Sequence, residues 1–408
     1  MAMVSMRDLL FHAYNNHYAV GAFEIVSLDF LRAVIEAAEK CRSPVILNVV
    51  EAHFAWFDVE LLMAAVVRAA KRASVPVAVH MDHCTSLESV RVAISLGANS
   101  VMFDNSHEHL PVNIENTRQA VQLSHACGVP VEGELGHVAG IIVNYDNEIG
   151  GDQSLHTSSN EAGYYVERSG VDFLAIAIGT VHGQANAKPR LDFPRLARIR
   201  DSVNIPLVIH GGSGLSDSQY HKLIDLGVAK INYFTALADL AVKQVKSNLS
   251  QQDAGYREMC ANINQSMIAE VQRCMQVWRS AGRAAEVRIQ CGAWQNVEHV
   301  IIYNTNTDNR EQIEEMLRKG RQQLSQIPGV VSVEIGKAVG DQGKYRYCWL
   351  IRFANDKVID SYKNHPDHVA YADTSFRPLA GDRITNDYAI LEDLGASLLS
   401  RIVSPKIA

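Results

Sequence analysis

Three histidines that lie far apart in the chain are the first residues that could do chemistry together. His83, His182 and His210 each stand at or shortly after the end of a short apolar run. Three imidazoles without a cysteine are a ligand set of catalytic zinc, because a fourth position stays open for water or substrate. The chain has 16 histidines, so any single one is more often a capping or core-edge residue. Three histidines at strand ends on one face nevertheless favour a metal site.

Carboxylates accompany these histidines. Asp82 directly precedes His83, and the next two apolar runs end near Asp104 and Glu134. Asp82 could orient an imidazole ring, or it could move a proton at a substrate hydroxyl beside the metal, and the two roles are compatible. Asp104 and Glu134 could hold an alternative cation, or they could form an ion-pair network at the mouth of the fold.

A glycine-rich turn follows another apolar run. It reads His-Gly-Gly-Ser-Gly over residues 210–214 and precedes a helix that begins near Leu215. Glycines let backbone N–H groups approach an anion, and a helix N-terminus adds partial positive charge. A tight loop without a ligand is the plainer interpretation, but Asn232 and Thr235 in the next loop favour an anion site.

Eight apolar runs alternate with amphipathic segments over roughly the first 245 residues. Near-continuous apolar runs are typical of parallel strands that are buried on both faces. Eight such strands, each followed by a helix, predict a (β/α)₈ TIM barrel, and the loops after strands seven and eight often bind phosphate in this fold. A doubly wound open sheet is the rival, but its glycine-rich fingerprint after the first strand is missing. The runs are 18–25, 45–50, 75–82, 100–104, 129–136, 173–179, 206–212 and 228–234.

The pattern changes near residue 290, after a helical region over about 236–290. Strands are predicted at 296–306, 328–339, 345–354 and 383–391, with helices at 309–327 and 356–376, the second broken at Pro366. This βαββαβ order is that of a small ferredoxin-like α+β domain. We therefore expect two domains, a barrel with a helical extension over 1–290 and a ferredoxin-like domain over 291–408.

Composition limits the classes of partner. The 408 residues are 47% apolar and 20% charged, with a net charge of -7, which disfavours nucleic acid as a partner. No apolar run approaches the length of about 18 residues that would predict a membrane span. Seven scattered cysteines without a CxxC pair, and an N-terminus without signal-peptide features, predict reduced thiols in a cytoplasmic protein. We expect a small-molecule ligand, with neither nucleic acid nor membrane as a partner.

The first domain resembles the class II (zinc-dependent) fructose/tagatose-bisphosphate aldolase family over about residues 4–285. Seven stretches, spread in order over the predicted strands, carry the resemblance. They are YAVGAF, HMDHC, SVMFDNS, VEGELG, AIAIGTVHG, PLVIHGGSGLS and KIN, the last followed by Thr235.

This resemblance implies a lyase that cleaves a ketose (bis)phosphate reversibly into dihydroxyacetone phosphate and an aldehyde. It implies a zinc ion on His83, His182 and His210 that polarises the ketose carbonyl, and Asp82 as the proton-transfer group at the C4 hydroxyl. Asp104 and Glu134 match the family's second or monovalent cation site. The residues implied to bind the dihydroxyacetone phosphate part are Gly183, Gly211, Gly212, Ser213, Asn232 and Thr235.

A long stretch without helical periodicity, 137–158, follows the fifth predicted strand. Loops of this length in compact domains often act as active-site lids. The aldolase family places a carboxylate on its lid to move the C3 proton of the substrate. Asp146 or Glu148 could serve here.

Several residues near the expected substrate depart from the family pattern. Glu24 stands where the family usually has a substrate-contacting Asn, and Val50 lacks a hydroxyl that could bind phosphate. Negative charge on Glu24 and Glu51 is unfavourable beside a dianionic phosphate. Alternative hypotheses are therefore a ketose phosphorylated at one end or at neither, a sugar-phosphate sensor that has lost activity, and a metal-dependent hydrolase. The remaining departures are Ala52, His53, Tyr233, Phe234 and Ala236.

The second domain resembles the stress-responsive dimeric α+β barrel domain over about residues 296–392. The resemblance rests on His299 in EHVIIY, the helix 309–325, PGVVSVEIGK and NHPDHVAY. Two copies in that family usually pair their sheets, which implies a homo-oligomer, a dimer or larger. His299, His365 and His368 could bind a ligand, but capping and packing roles are the favoured interpretation.

Overall fold

The computed structural model describes residues 2–136, 156–181, 183, 190–250, 255–340 and 343–390. Within them, eight parallel strands close into a barrel in chain order, so the predicted TIM barrel is confirmed. Each strand overlaps its predicted apolar run, and only β3 extends past the end of its run, by two residues to Cys84. The strands are β1 Val20–Glu24, β2 Val45–Val50, β3 Val77–Cys84, β4 Ser100–Phe103, β5 Val131–Leu135, β6 Phe173–Ile176, β7 Leu207–Ile209 and β8 Val228–Tyr233.

Helices cover the outside of the barrel. Ser27 caps α2 by accepting a hydrogen bond from Phe30 N, as its position before the apolar stripe predicts. No helix in the described ranges combines the length and apolar character needed to cross a membrane. The helices are α1 Met6–Asn15, α2 Leu28–Cys41, α3 Val59–Arg72, α4 Leu87–Ser95, α5 Leu110–Ala126, α6 Ser159–Ser169, α7 Phe193–Ser202, α8 Asp217–Asp225, α9 Thr235–Leu249, α10 Tyr256–Met259, α11 Ile263–Val277 and α12 Ala284–Gln290, with a 3₁₀ turn Glu51–Ala55.

The interior of the barrel changes character along its axis. Near its N-terminal end, Ala22, Ile46 and Val208 pack in one apolar cluster with the residues of α1. Successive side chains of a strand point to opposite faces, so the residue two positions further along points inward again. That residue is Glu24 on β1 and His210 after β7. An apolar floor therefore carries a polar layer at the C-terminal mouth, where sites of this fold lie.

The C-terminal module has the predicted βαββαβ order, and its antiparallel sheet runs β10-β11-β9-β12. The predicted break at Pro366 is confirmed, since one helix ends at Asn364 and the next begins at Pro366. The predicted boundary near residue 290 stays a prediction. The elements are β9 Val297–Thr305, α13 Arg310–Leu324, β10 Val330–Lys337, β11 Tyr347–Phe353, α14 Val358–Asn364, α15 Pro366–Tyr371, a π-helical turn Ala372–Phe376 and β12 Ala380–Ala389.

One buried amide joins this module to the barrel helices. Asn355 donates from Nδ2 to the carbonyl oxygen of Cys127 at 2.6 Å, just beyond the end of α5, and accepts from Lys357 N at 2.8 Å. Cys127 Sγ also lies 3.1 Å from the place a Cβ would take on Gly329, which has a φ of +85°. The absence of a side chain on this glycine therefore allows the close approach of the two chain segments.

We predict that Asn355→Ala lowers the free energy of unfolding by about 1–3 kcal/mol, because it leaves the buried Cys127 carbonyl without its donor. Urea unfolding of the full chain measures this. Asn364→Ala is the matched control, since Asn364 is exposed and bonds only to the nearby Asp360 carbonyl. Equal losses for the two variants would contradict the assigned role of Asn355.

Candidate active site

His83 occupies an unusual backbone position at the end of β3. Its φ is +52°, in the left-handed region that few non-glycine residues adopt, and the pairing with β4 shifts register between Met81 and Cys84. Its Nδ1 lies 2.7 Å from Asp104 Oδ2, and Asp104 Oδ1 accepts from Ser106 N at 3.0 Å. Because a carboxylate only accepts, Nδ1 donates and the other ring nitrogen, Nε2, carries the lone pair of the neutral ring.

His210 follows β7 and is held in the same manner. Its Nε2 lies 2.9 Å from Glu132 Oε1, so the ring donates there and Nδ1 carries the lone pair of the neutral imidazole. Nδ1 lies 3.6 Å from Glu134 Oε2. The rings of His83 and His210 meet edge to face with their centres 4.8 Å apart. Two of the three predicted histidines therefore converge, while His182 lies outside the described residues.

Among the described residues, three overlapping groups of side chains could hold a cation, one of them His80, Asp82 and Glu132 at the buried end of the site. One ligand atom each from Asp82, His83 and His210 lie within 4.8 Å of one another, and so do atoms of His83, Asp104 and Glu134. Burial lowers the pKa of His83, but Asp82, Asp104 and Glu134 outweigh this effect and raise it to about 10. The surroundings thus favour positive charge. Imidazoles oriented by carboxylates fit a divalent ion such as zinc.

Asp82 is fully buried on β3 and held by two amides. Its Oδ2 accepts from Asn48 Nδ2 at 2.7 Å and from Asn232 Nδ2 at 2.8 Å. Burial raises the pKa of Asp82, but the positive charges of Lys230 and His83 outweigh this effect and hold it well below the usual value. Asp82 is therefore ionised at neutral pH and able to accept a proton. Asn48 was not identified from the sequence, although a single polar residue inside the apolar run of β2 is a signal.

A buried ion pair supports the candidate metal-binding layer, the group formed by Asp82, His83, Asp104, Glu134 and His210. This pair was also missed in the prediction from the sequence. Lys230 Nζ on β8 lies 2.8 Å from Glu132 Oε2 on β5, and neither side chain is exposed. Burial raises the pKa of Glu132, whereas Lys230 and His210 lower it, to about 2 overall. Lys230 thus keeps Glu132 ionised, and the ionised carboxylate fixes the tautomer of His210. A lysine and a glutamate within apolar runs were the signal in the sequence.

The predicted anion loops border one cavity of about 550 Å³ together with Asp82 and His83. A Cβ on Gly211, whose φ is +63°, would lie 2.3 Å from Val181 O, and one on Gly212 would lie 2.7 Å from Asn232 O. Only glycine fits at these positions. All six residues predicted to bind the phosphate portion line this cavity, namely Gly183, Gly211, Gly212, Ser213, Asn232 and Thr235.

The two acidic residues that differ from the family pattern, Glu24 and Glu51, direct their carboxylates to different parts of the structure. Glu24 lines the cavity, and its Oε1 lies 2.9 Å from His53 Nδ1. Glu51 was expected to add charge near the substrate, but its carboxylate instead accepts from Thr85 N at 2.7 Å. The expectation differs from the structure because the 3₁₀ turn after β2 directs Glu51 toward the end of β3.

The histidines of the C-terminal module have structural partners. His299 Nδ1 lies 2.6 Å from Asp387 Oδ1, and its ring stacks on Phe353. His365 caps α15 by accepting from Asp367 N, and His368 contacts the Lys363 carbonyl. These contacts agree with the favoured capping and packing interpretation.

We predict that Lys230→Met lowers the free energy of unfolding by about 3–5 kcal/mol, because it leaves Glu132 buried as an unpaired charge. The double variant Lys230→Met/Glu132→Gln should lose less, since both charges are gone. The midpoint of urea unfolding measures the loss, with Lys246→Met on the exposed side of α9 as the control. A loss no larger than that of the control would refute the role of this pair.

Comparison with known proteins places both parts of the chain. Residues 4–283 match the family "Fructose-bisphosphate aldolase class-II", and residues 297–390 match "Stress responsive A/B Barrel Domain". The fructose-bisphosphate aldolase of Geobacillus stearothermophilus is 36% identical over 291 residues, which cover 70% of this chain and all of the relative. A probable fructose-bisphosphate aldolase of Bacillus subtilis is 38% identical over 259 residues, covering 63% of this chain and 90% of the relative.

A solved structure agrees with this relationship. The YdjI aldolase of Escherichia coli K12 has a TM-score of 0.62 and 34% identity, and the match covers 69% of this chain and 99% of that one. The matched region contains the barrel and the residues that converge at its mouth. The chain therefore belongs to the class II fructose-bisphosphate aldolase family, as an aldolase and hence a lyase, and it carries a stress-responsive A/B barrel domain after the barrel.

Proposed function

We propose that the chain is a zinc-dependent aldolase that cleaves a ketose phosphate reversibly to dihydroxyacetone phosphate and an aldehyde. One observation carries this proposal. Ligand atoms of Asp82, His83 and His210 converge, and Asp82 and His83 line a cavity that the glycine-rich anion loop also borders. A cation site and a phosphate site in one cavity are what the cleavage of a phosphorylated ketose requires.

The zinc ion would be held by His83, His210 and His182, of which the last lies outside the described residues. Asp104 and Glu134 would orient these ligands or hold a second or monovalent cation. The bound ion supplies a Lewis acid for the ketose carbonyl. The ring nitrogens of His83 and His210 that contact carboxylates fix the tautomers that such a site needs.

Asp82 would move the proton of the C4 hydroxyl. Its Oδ2 accepts from Asn48 and Asn232, so we assign that proton to Oδ1, which lies 3.5 Å from His80 Nε2. In cleavage the C3–C4 bond breaks, its electron pair stays on the three-carbon phosphate half, and the aldehyde leaves. A second proton must then reach C3. We assign that step to Asp146 or Glu148 of the predicted lid, both of which lie outside the described residues.

The phosphate of the three-carbon half would bind at the loops after β7 and β8. Gly212 N donates to the Asn232 carbonyl oxygen at 3.2 Å, so the backbone N–H groups of Gly211 and Ser213 are the donors of this loop that we assign to the phosphate. Helix α9 begins at Thr235, so its positive end faces the same cavity. Gly183 and Asn232 complete this part of the wall.

We predict that His210→Ala loses both zinc and activity, whereas Asp82→Asn keeps zinc and loses about 10²- to 10⁴-fold in kcat, because it cannot accept a proton. Zinc content by mass spectrometry and cleavage assays on ketose mono- and bisphosphates measure the two effects. A wild-type chain that binds zinc but cleaves no ketose would instead support the hydrolase or the sensor hypothesis.

We also infer that the C-terminal sheet pairs two copies of the chain into a homodimer. Helices α13, α14 and α15 cover one face of the sheet. Residues paired across neighbouring antiparallel strands share a face, and the other face carries the paired Ile302 and Ile384 together with Leu350. Ile384 is 46% exposed although it lies in the middle of β12. A partly exposed apolar sheet face is typical of an interface.

We predict that Ile384→Glu turns the dimer into a monomer, because two buried charges would face each other across the paired sheets. Light scattering after size-exclusion chromatography gives the mass of the full chain, which is 45.0 kDa as a monomer. Gln322→Glu adds the same charge on the exposed side of α13 and should leave the mass unchanged. A dimer that survives Ile384→Glu would show that the copies associate elsewhere.

A further inference from the structure

We propose that Glu24 and His53 select the aldehyde half of the substrate, and that they favour an uncharged hydroxyaldehyde over one with a terminal phosphate. This inference rests on the proposed function, since it assumes that Asp82 receives the C4 hydroxyl proton. It extends that function by naming the residues that determine specificity and the chemical class of the second product.

The position of Glu24 in the barrel places it beside the reacting carbon atoms. Glu24 ends β1 in register with Asn48 of β2, and the amide of Asn48 contacts Asp82. The glycine-rich loop after β7 accounts for the phosphate of the three-carbon half. We therefore place the atoms beyond C4 along the remaining wall, which includes Glu24, the 3₁₀ turn after β2 and Phe234.

That wall is unfavourable for a second phosphate. Among the described residues that line the cavity, none is a lysine or an arginine. Burial, reinforced by the charge of Asp82 and opposed by the contact with His53, raises the pKa of Glu24, so this part of the cavity disfavours negative charge. A phosphate dianion there would add to the negative charge of Glu24 and Asp82 at short range in a water-poor cavity. Val50 and Ala52 offer it no side-chain donor.

The same wall suits hydroxyl groups. Glu24 Oε1 and His53 Nδ1 lie 2.9 Å apart but out of line for a hydrogen bond, and neither atom has a hydrogen-bond partner elsewhere in the described structure. Both side chains line the cavity, and Glu24 keeps 13% and His53 12% of its side-chain surface exposed, so a hydroxyl group of a ligand can reach them. A hydroxyl group can donate to Glu24 and accept from a ring N–H of His53.

An aromatic surface continues from this pair toward the entrance. The ring of His53 stacks on Trp56 with centres 4.5 Å apart and lies 6.0 Å from the ring of Phe234. Trp56 is 73% exposed, which leaves one face of a large ring open at the cavity wall. Such a ring provides a flat apolar surface for the C–H groups of a sugar chain, while the Glu24–His53 pair binds its hydroxyl groups.

The test uses the full chain loaded with zinc, dihydroxyacetone phosphate, and two pairs of aldehydes. The pairs are glyceraldehyde with its 3-phosphate and erythrose with its 4-phosphate. We expect kcat/KM for the uncharged member to be at least about 100-fold higher, because an unpaired buried charge rejects the other strongly. Glu24→Asn, which removes the charge and keeps a polar group, should lower that ratio by about tenfold or more, mainly through KM for the aldehyde.

Glu51→Gln is the matched control. It removes a carboxylate only a few residues from His53, but one that contacts Thr85 and lies outside the cavity wall, so the aldehyde preference should stay unchanged. A wild-type preference for the phosphorylated aldehydes would overturn the inference. An equal ratio in wild type and Glu24→Asn would also overturn it.

A second measurement separates this inference from the proposed function. Exchange of the C3 proton of dihydroxyacetone phosphate in D₂O, followed by NMR without any aldehyde, reports the half-reaction that needs neither Glu24 nor His53. We expect wild type and Glu24→Asn to exchange at similar rates. Absence of exchange in wild type would overturn the proposed function and this inference together. Normal exchange with an unchanged aldehyde ratio would overturn this inference alone.

Discussion

Burying carboxylates is unfavourable unless each one meets a positive charge or several hydrogen-bond donors, and this requirement organises the mouth of the barrel. Glu132 meets Lys230 and His210, Asp104 meets His83, and Asp82 meets two side-chain amides. Each described imidazole of the metal-binding layer is thereby fixed by a carboxylate at one nitrogen and directs the other nitrogen inward. The resulting layer carries more negative than fixed positive charge, so a divalent cation stabilises it as well as serving the chemistry.

The regular geometry of parallel strands is enough to place most of these polar side chains at the mouth of the barrel. Apolar side chains fill the lower half of the barrel, and the two-residue alternation of each strand brings polar side chains inward above them. Left-handed backbone occurs at several residues of the mouth, of which two show why it is needed. His83 takes a left-handed conformation where β3 shifts register, and Gly211 does so where the chain passes close to the Val181 carbonyl. Both lie where the strands open into loops, which is where a (β/α)₈ barrel can vary its chain without disturbing its core.

Much of this could be predicted from the sequence, because eight apolar runs determine eight strands and polar residues at their ends determine the mouth. The prediction missed partners that meet only in three dimensions. Lys230 and Glu132 are 98 positions apart, and each stands inside an apolar run that by itself indicates only a strand. Glu24 and Glu51 look equivalent in the sequence, yet a turn after β2 sends one carboxylate to Thr85 while the other borders the cavity. The direction of a side chain in an irregular segment follows from local dihedral angles that no residue pattern specifies.

The proposed catalytic groups and the proposed aldehyde-binding pair occupy different parts of the barrel rim. The groups that could hold a cation or move a proton come from β3, β4, β5 and β7 and their ends, whereas the Glu24–His53 pair belongs to β1 and the turn after β2. Asn48 connects the two parts, because it pairs with Glu24 along the sheet and donates to Asp82 across it. On this proposal, replacing Glu24 or His53 alters the aldehyde that the cavity accepts while the amides that contact Asp82 stay in place. Divergence of these two residues is then a route by which an aldolase with the family's histidines could act on a different aldehyde.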